Sequence, residues 1–193
     1  MAATTPIKDI RQIAKIKKFF LDSGHIRDYA LFTVGINTAL RIGDILGLRW
    51  GDVYDFDRGS FRSHIEVREQ KTGKHNSVQL NTKAEEALSL LLKSLGGDAG
   101  EDVYIFRSRK GTNRPITRGR AWAIFTEAAA AISDVTKFSC HSLRKTFGYH
   151  AWKSGTSSVL LMAIYNHSSF SITKRYLGID QLEKDQVYDN ILL

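Results

Sequence analysis

The hydrophobic period of this chain changes twice, and that change restricts its fold more than any single motif does. From Ile7 to Asp22, the residues Ile10, Ile13, Ile16, Phe19 and Phe20 recur at helical spacing, and Gly24 ends the run. A second helix is predicted over 26–38. A short third one runs from Arg41 to Leu48, with Ile42, Ile45 and Leu46 on one face and Arg41 and Asp44 on another. Between 52 and 80 the texture becomes strand-like. Segments 52–57, 63–69 and 77–80 alternate or are rich in Val, Ile and Phe, and Asp57-Arg58-Gly59-Ser60 and Lys71-Thr72-Gly73-Lys74 read as turns between them. Helical periodicity returns after the Asn81-Thr82 capping signal, over 84–95, and stops at Gly96-Gly97. A mostly irregular stretch to Pro115 surrounds a short Val103-Tyr104-Ile105-Phe106 run. Further helices follow over 117–132, 142–154, 157–165 and 169–177, with a last one near 181–191. The pattern predicts an α+β domain, mostly helical, with one small antiparallel three-stranded sheet. At 193 residues it is one domain.

Charge narrows the partner. Lys and Arg number 28 against 20 acids, a net +8, which points to a polyanion. The excess is concentrated. Residues 107–120 carry Arg107, Arg109, Lys110, Arg114, Arg118 and Arg120 with no acid, and 137–153 carry Lys137, Arg144, Lys145 and Lys153, again with none. Two acid-free runs beside helix starts suit phosphate contacts, so Lys145 and the six cations of the first run are candidate nucleic-acid-binding residues. No stretch approaches 18 uncharged apolar residues, and the first residues lack the apolar region of a signal peptide, so no membrane association is expected. The single cysteine, Cys140, excludes an internal disulfide and fits a reducing cytoplasm.

The chemistry begins with His141-Ser142-Leu143-Arg144. A His and an Arg three apart at a helix head share one face, beside free backbone N–H groups. Arg41 and Asp44 open an earlier short helix, Lys71 occupies the turn of the sheet, and His167 lies between two late helices with Tyr176 nine residues on. The ordered set Arg41, Lys71, His141-x-x-Arg144, His167, Tyr176 resembles the catalytic domain of the tyrosine recombinases, the phage integrase family. The local strings agree: 38–50 for the first arginine box, His141 to Phe147 for the second, and Asn166-His167-Ser168-Ser169 with Thr173-Lys174-Arg175-Tyr176 for the nucleophile box. Two positions depart from the family pattern. Ala39 stands where a glycine is common, and Tyr165-Asn166-His167 replaces Leu-Gly-His. Both bear on backbone geometry rather than on chemistry.

The resemblance implies strand cleavage and rejoining of double-stranded DNA through a 3′-phosphotyrosine, in integration, excision or inversion. Tyr176 would be the nucleophile. Arg41 and Arg144 would fork onto the non-bridging phosphate oxygens, and His141 and His167 would hydrogen-bond the same phosphate, with His141 also a base for the phenol. Lys71 would protonate the departing 5′ oxygen, and Asp44 would brace Arg41 or its helix. No cofactor or metal is implied, because the arginines supply the positive charge and the histidines lack metal-ligand spacing. Family members act as tetramers on DNA and are expected to be monomers without it, linked through C-terminal segments such as 180–193 here. The first arginine box begins near residue 38, so core-binding and arm-binding domains are expected to be absent from 1–193, whether the chain is a fragment of a longer integrase or a single-domain recombinase. A type IB topoisomerase and an inactive DNA-binding module are the competing readings.

Rivals exist for individual roles. Tyr188 is the other tyrosine near the end, and Lys74 shares the turn with Lys71. Tyr29, Tyr149, Tyr165, Trp50, Trp152 and His150 read as packing.

Overall fold

The computed structural model describes residues 4–177, 179 and 181–191. Ten helices are seen among them: α1 (Ile10–Asp22), α2 (Ile26–Thr38), α3 (Ile42–Leu46), α4 (Trp50–Val53), α5 (Thr82–Ser94), α6 (Arg118–Ala131), α7 (Cys140–Lys153), α8 (Ser158–Ile164), α9 (Phe170–Leu177) and α10 (Gln181–Asn190). Four short strands lie between α4 and α5: β1 (Tyr54–Asp55), β2 (Ser60–Phe61), β3 (His64–Arg68) and β4 (His75–Gln79). Of the expected C-terminal tail, Asp180, Leu192 and Leu193 lie outside the described residues, as does the side chain of Arg175.

The mostly helical α+β architecture matches the sequence pattern, but the sheet does not. In place of one three-stranded sheet there are two antiparallel pairs, β1–β2 and β3–β4. Asp52 is responsible for part of the difference. Its Oδ2 accepts from the Arg49 backbone N–H at 2.7 Å, which winds 50–53 into a helical turn and leaves only Tyr54 and Asp55 for the first strand. A two-residue strand that ends at a bend cannot extend a ladder to β3. The β3–β4 hairpin is longer, pairing His64 with Gln79 through to Arg68 with His75, and its tip holds Lys71.

The first helix also starts later than its apolar spacing suggests. Asp9 caps α1 by accepting from Arg11 N at 2.8 Å, and Ile10 is left 70% exposed. The residues before it run along α7. Ile7 N donates to Thr146 Oγ1 at 2.9 Å, His150 Nε2 meets Ile7 O at 3.0 Å, and Lys145 Nζ donates to Thr4 O at 2.5 Å. Phe32 at the centre of the buried α2 packs edge-on against Phe125 of α6 and Phe138, with Phe20 of α1 tilted beside it. Trp50 and Tyr165 are fully buried, whereas Trp152 is only half-buried.

Two left-handed residues frame α7. Ala39, the C-cap of α2, has φ 55°, and Asn166, just after α8, has φ 54°. These are the two positions where the sequence departs from the family pattern. Asn is the residue that tolerates this region best after Gly, while Ala carries a strain of roughly 1–2 kcal/mol there. The buried Ala39 methyl returns about 0.8 kcal/mol of that. Ala39→Gly is therefore expected to shift the melting temperature by no more than about 3 °C in either direction. Ala39→Val, which puts a β-branched side chain in the left-handed region, is expected to lower it by more than about 5 °C. Thermal unfolding by circular dichroism checks both, and a more stable Val variant would refute the assigned backbone geometry.

Candidate active site

The second histidine–arginine box opens α7. Ser139 and Ser142 cap it reciprocally, so the helix starts at Cys140, two residues before the predicted start at Ser142, and His141 and Arg144 share its first turns. Arg144 turns inward and is 1% exposed. Its Nη1 donates to the carbonyl of Ala39 and its Nη2 to that of Tyr165 at 2.9 Å. The left-handed backbone at Ala39 and that following Tyr165 present these two carbonyls. The guanidinium also sits 4.5 Å from the Tyr165 ring centroid and 5.7 Å from that of Tyr176. Tyr165 returns a hydroxyl hydrogen bond to the Arg144 carbonyl at 2.7 Å. That approach requires Gly148, where a Cβ would stand 2.2 Å from the Tyr165 hydroxyl.

Tyr176 lies on α9, half-buried. Its ring centroid is 5.0 Å from that of His167, 5.3 Å from Tyr165 and 6.0 Å from His141. His167 stacks on Tyr165 at 5.1 Å, and its Nδ1 is 3.0 Å from Thr173 Oγ1. Both imidazoles are biased toward the neutral form. Burial and then the charges of Arg144 and Arg41 bring His167 down to about 4. Burial and the surrounding cations Lys145, Arg144, Lys71 and Arg41 lower His141 as well. Burial pushes the Tyr165 phenol well above its ordinary range, so it stays protonated. Tyr188, the rival tyrosine, is 78% exposed on α10 and makes no ring contact with these groups among the described residues. Cys140 neighbours His141, but burial raises its thiol to about 11 and keeps it unreactive.

A cleft of about 360 Å³ beside this cluster is lined by Arg41, Gly43, Gln70, Lys71, Arg118 and His141. Arg41 precedes α3, and its Nη1 lies 2.5 Å from Oε2 of Glu69, which is 1% exposed. Burial pushes the Glu69 carboxyl up, but bonds from Thr72 and Arg41 and the charge of Arg144 outweigh it, so its pKa is lowered on balance. Asp44 is buried and accepts from Gln70 N at 2.9 Å, so it ties α3 to the hairpin tip rather than gripping Arg41. Lys71 is exposed and makes no hydrogen bond or ion pair among the described residues, whereas Lys74 Nζ donates to Asn166 O at 3.4 Å.

The structure does not gather the predicted DNA-binding cations on one surface. Arg118 joins the cleft, donating from Nη2 to Gln70 Oε1 at 2.9 Å. Arg109, Lys110 and Arg120 line a separate, larger groove of about 560 Å³, which contains none of the six catalytic candidates. There Arg120 lies 3.3 Å from Glu127. Arg107 is 3.7 Å from Asp98, Arg114 is exposed, and Lys145 is half-buried against Thr4. Two residues of the site went unnoticed in the sequence. Tyr165 was read only as packing, and Glu69 was not singled out. Alternation was the available signal for Glu69, since Ile65, Val67 and Glu69 occupy successive inward positions and all three are buried.

The phage integrase family model matches residues 5–183. The probable integrase/recombinase YoeC of Bacillus subtilis (strain 168) is 39% identical over 181 residues, 94% of this chain and 93% of that protein. Crystal structures of XerA recombinase and of XerH site-specific recombinase bound to palindromic difH substrate share the fold. Their TM-scores are 0.78 and 0.74 and their identities 21% and 16%. They match 96% and 98% of this chain, which spans 65% and 54% of those longer chains. The chain belongs to the phage integrase family, the tyrosine recombinases, enzymes that cut and rejoin DNA through a tyrosine.

The histidine shifts have a definite sign. An unfolded histidine titrates near 6.5, and His167 in the fold titrates near 4. Between those values the unfolded chain holds more protons, so stability rises with pH through the window and is lost as pH falls from about 6.5 toward 4. His167→Gln is expected to flatten this part of the stability–pH curve, measured by urea unfolding at a series of pH values. An unchanged slope would mean that His167 is not held neutral.

Proposed function

We propose that the chain performs site-specific DNA recombination, with Tyr176 as the nucleophile and Arg41, Lys71, His141, Arg144 and His167 as the other catalytic residues. The observation that carries this reading is the convergence on Tyr176 of Arg144, His141 and His167, with its rival tyrosines either buried and protonated or exposed elsewhere.

In the proposed step the Tyr176 oxygen attacks the scissile phosphorus. The phosphorus–oxygen bond to tyrosine forms as the bond to the 5′ oxygen breaks. The phenolic proton passes to His141, which burial and nearby cations hold neutral and ready to accept it. Negative charge builds on the non-bridging oxygens, where Arg41, Arg144 and His167 would meet it. By the measure of an oxyanion-hole donor, losing one of these is worth roughly 3–4 kcal/mol of barrier. Lys71, exposed at the hairpin tip and unpaired among the described residues, would give its proton to the leaving 5′ oxygen.

Double-stranded DNA is the proposed partner. The net +8 charge supports this, as does the structural neighbour XerH, captured on its difH substrate. A homotetramer on DNA is the proposed assembly. α10 and the residue that follows it support it by leaving Val187, Tyr188 and Ile191 54%, 78% and 58% exposed, an apolar edge that a neighbouring protomer would cover. Arg118, being in the cleft, would contact phosphate next to the scissile one. Arg109, Lys110, Arg114 and Arg120 would serve affinity, in the cytoplasm where such DNA is found. None of these steps uses a metal or cofactor.

Tyr176→Phe is expected to abolish covalent capture of a suicide duplex on a denaturing gel, in EDTA as in magnesium, while DNA affinity changes by less than about threefold. A covalent band in the variant, or one mapped to Tyr188, would sink the assignment. Lys71→Ala is expected to slow cleavage by at least about 100-fold on the ordinary substrate but by only a few-fold when sulfur replaces the bridging 5′ oxygen, since a thiolate leaves without a proton. Equal slowing on both substrates would make Lys71 a DNA contact only.

A further inference from the structure

β3 continues its inward face past its last paired residue. Ile65 and Val67 are buried, and so is Glu69. A carboxylate at an apolar strand position needs compensation, and one oxygen receives it twice. Oε2 of Glu69 lies 2.5 Å from Arg41 Nη1 and accepts from Thr72 Oγ1 at 2.6 Å. The same residue's backbone closes the turn: Glu69 O accepts from Gly73 N at 2.8 Å, and Glu69 N donates to Lys74 O at 2.9 Å. Glu69 thus joins the start of α3, where Arg41 sits, to turn 69–74, which presents Lys71. The neighbouring residue strengthens the joint, because Gln70 N is held by Asp44 and Gln70 Nε2 donates to Gly43 O at 3.1 Å.

We propose that Glu69 is a positioning residue for strand cleavage: its buried carboxylate, ion-paired with Arg41 on one side and hydrogen-bonded by Thr72 of the hairpin tip on the other, makes the guanidinium and the Lys71 ammonium one preset unit. The proposal deepens the function assigned above and rests on Lys71 being the general acid. Glu69 touches neither the phosphate nor the leaving oxygen in this scheme and acts only through Arg41 and Lys71. A carboxylate that merely kept the hairpin folded would affect substrates with an oxygen or a sulfur leaving group alike. One that sets the position of Lys71 affects them differently, because only the oxygen needs the proton.

The test is single-turnover cleavage of suicide duplexes bearing a 5′-bridging oxygen or sulfur, using the full chain. Thr72→Val keeps the side-chain shape and removes the hydroxyl that ties the turn to Glu69. It is expected to slow the oxygen substrate roughly tenfold and the sulfur substrate by less than about twofold. In a Lys71→Ala background it is expected to add nothing, since both changes remove the same proton transfer. Glu69→Gln is expected to slow both substrates, through Arg41, and the oxygen one at least about tenfold more. Should Glu69→Gln fail to fold, the Thr72→Val comparison and its combination with Lys71→Ala decide the matter. Equal slowing of both substrates by Thr72→Val, no slowing of either, or an additive effect with Lys71→Ala overturns the proposal. If Lys71→Ala is rescued by sulfur in the same experiment, the general-acid reading survives that failure. If Lys71→Ala is not rescued, that reading falls and the positioning role falls with it.

Discussion

The buried guanidinium of Arg144 sets conditions that the surrounding chain has to meet. Moving such a charge out of water costs several kcal/mol unless its donors are satisfied. Here the carbonyls of Ala39 and Tyr165 accept from it, and the faces of Tyr165 and Tyr176 flank it. Each compensation fixes something else. The first carbonyl belongs to a residue in the left-handed region at the end of α2, which also turns the chain toward Arg41. The second directly precedes another left-handed residue, Asn166, after which the chain delivers His167. The Tyr165 ring requires a bare backbone at Gly148. One buried cation therefore ties α2, α7, α8 and α9 to a common geometry.

The resulting site is overloaded with positive charge before any substrate arrives. Arg41 and Arg144 repel one another, and Arg144 is lowered from its ordinary value by burial and by Arg41. Both histidines are biased toward the neutral form, and the buried Glu69, paired with Arg41, is held toward its ionised form. This is preorganisation in the electrostatic sense: the donors are already oriented, and the cost of crowding them is met by folding rather than at the moment of reaction. On the proposed function a phosphodiester entering the cleft would supply the missing negative charge, and the repulsions of the free protein would become favourable contacts in the complex. The neutral histidines can then act as hydrogen-bond partners without adding to the repulsion.

Much of this was legible in the sequence. The boxes were readable as a set because their residue types stand in the order the family resemblance names, and the fold brings Arg144, His141, His167 and Tyr176 together. The helices were readable because long segments repeat the 3.6-residue period many times. The sheet was not, because strands of two residues carry too little pattern to distinguish from a helical turn, and a single Asp52 side chain decided between them. The six-cation run at 107–120 was readable as charge but not as a surface. Its residues straddle a loop and a helix start, so neighbours in sequence face different grooves. Glu69 was hidden by its company in Arg68-Glu69-Gln70-Lys71, an apparently solvated string whose second residue alone points inward.

Tyr165 and Tyr176 show how environment, more than residue type, divides the work. Their rings are 5.3 Å apart and share the same guanidinium. Tyr165 is completely enclosed, its hydroxyl is spent on the Arg144 carbonyl, and burial holds its proton in place. Such a phenol is a structural part: it stiffens Arg144 and provides a stacking floor for His167. Tyr176 stands on a later helix, half-buried, with both imidazoles against its ring and no hydrogen bond from its hydroxyl among the described residues. That combination suits the proposed nucleophile, which would have to approach phosphorus and still pass its proton to a neighbour. Tyr165 therefore adds a second phenol to the cluster without adding a second candidate nucleophile. What it adds is a hydrogen bond and a π face that hold the buried arginine against the ring of Tyr176, the proposed nucleophile.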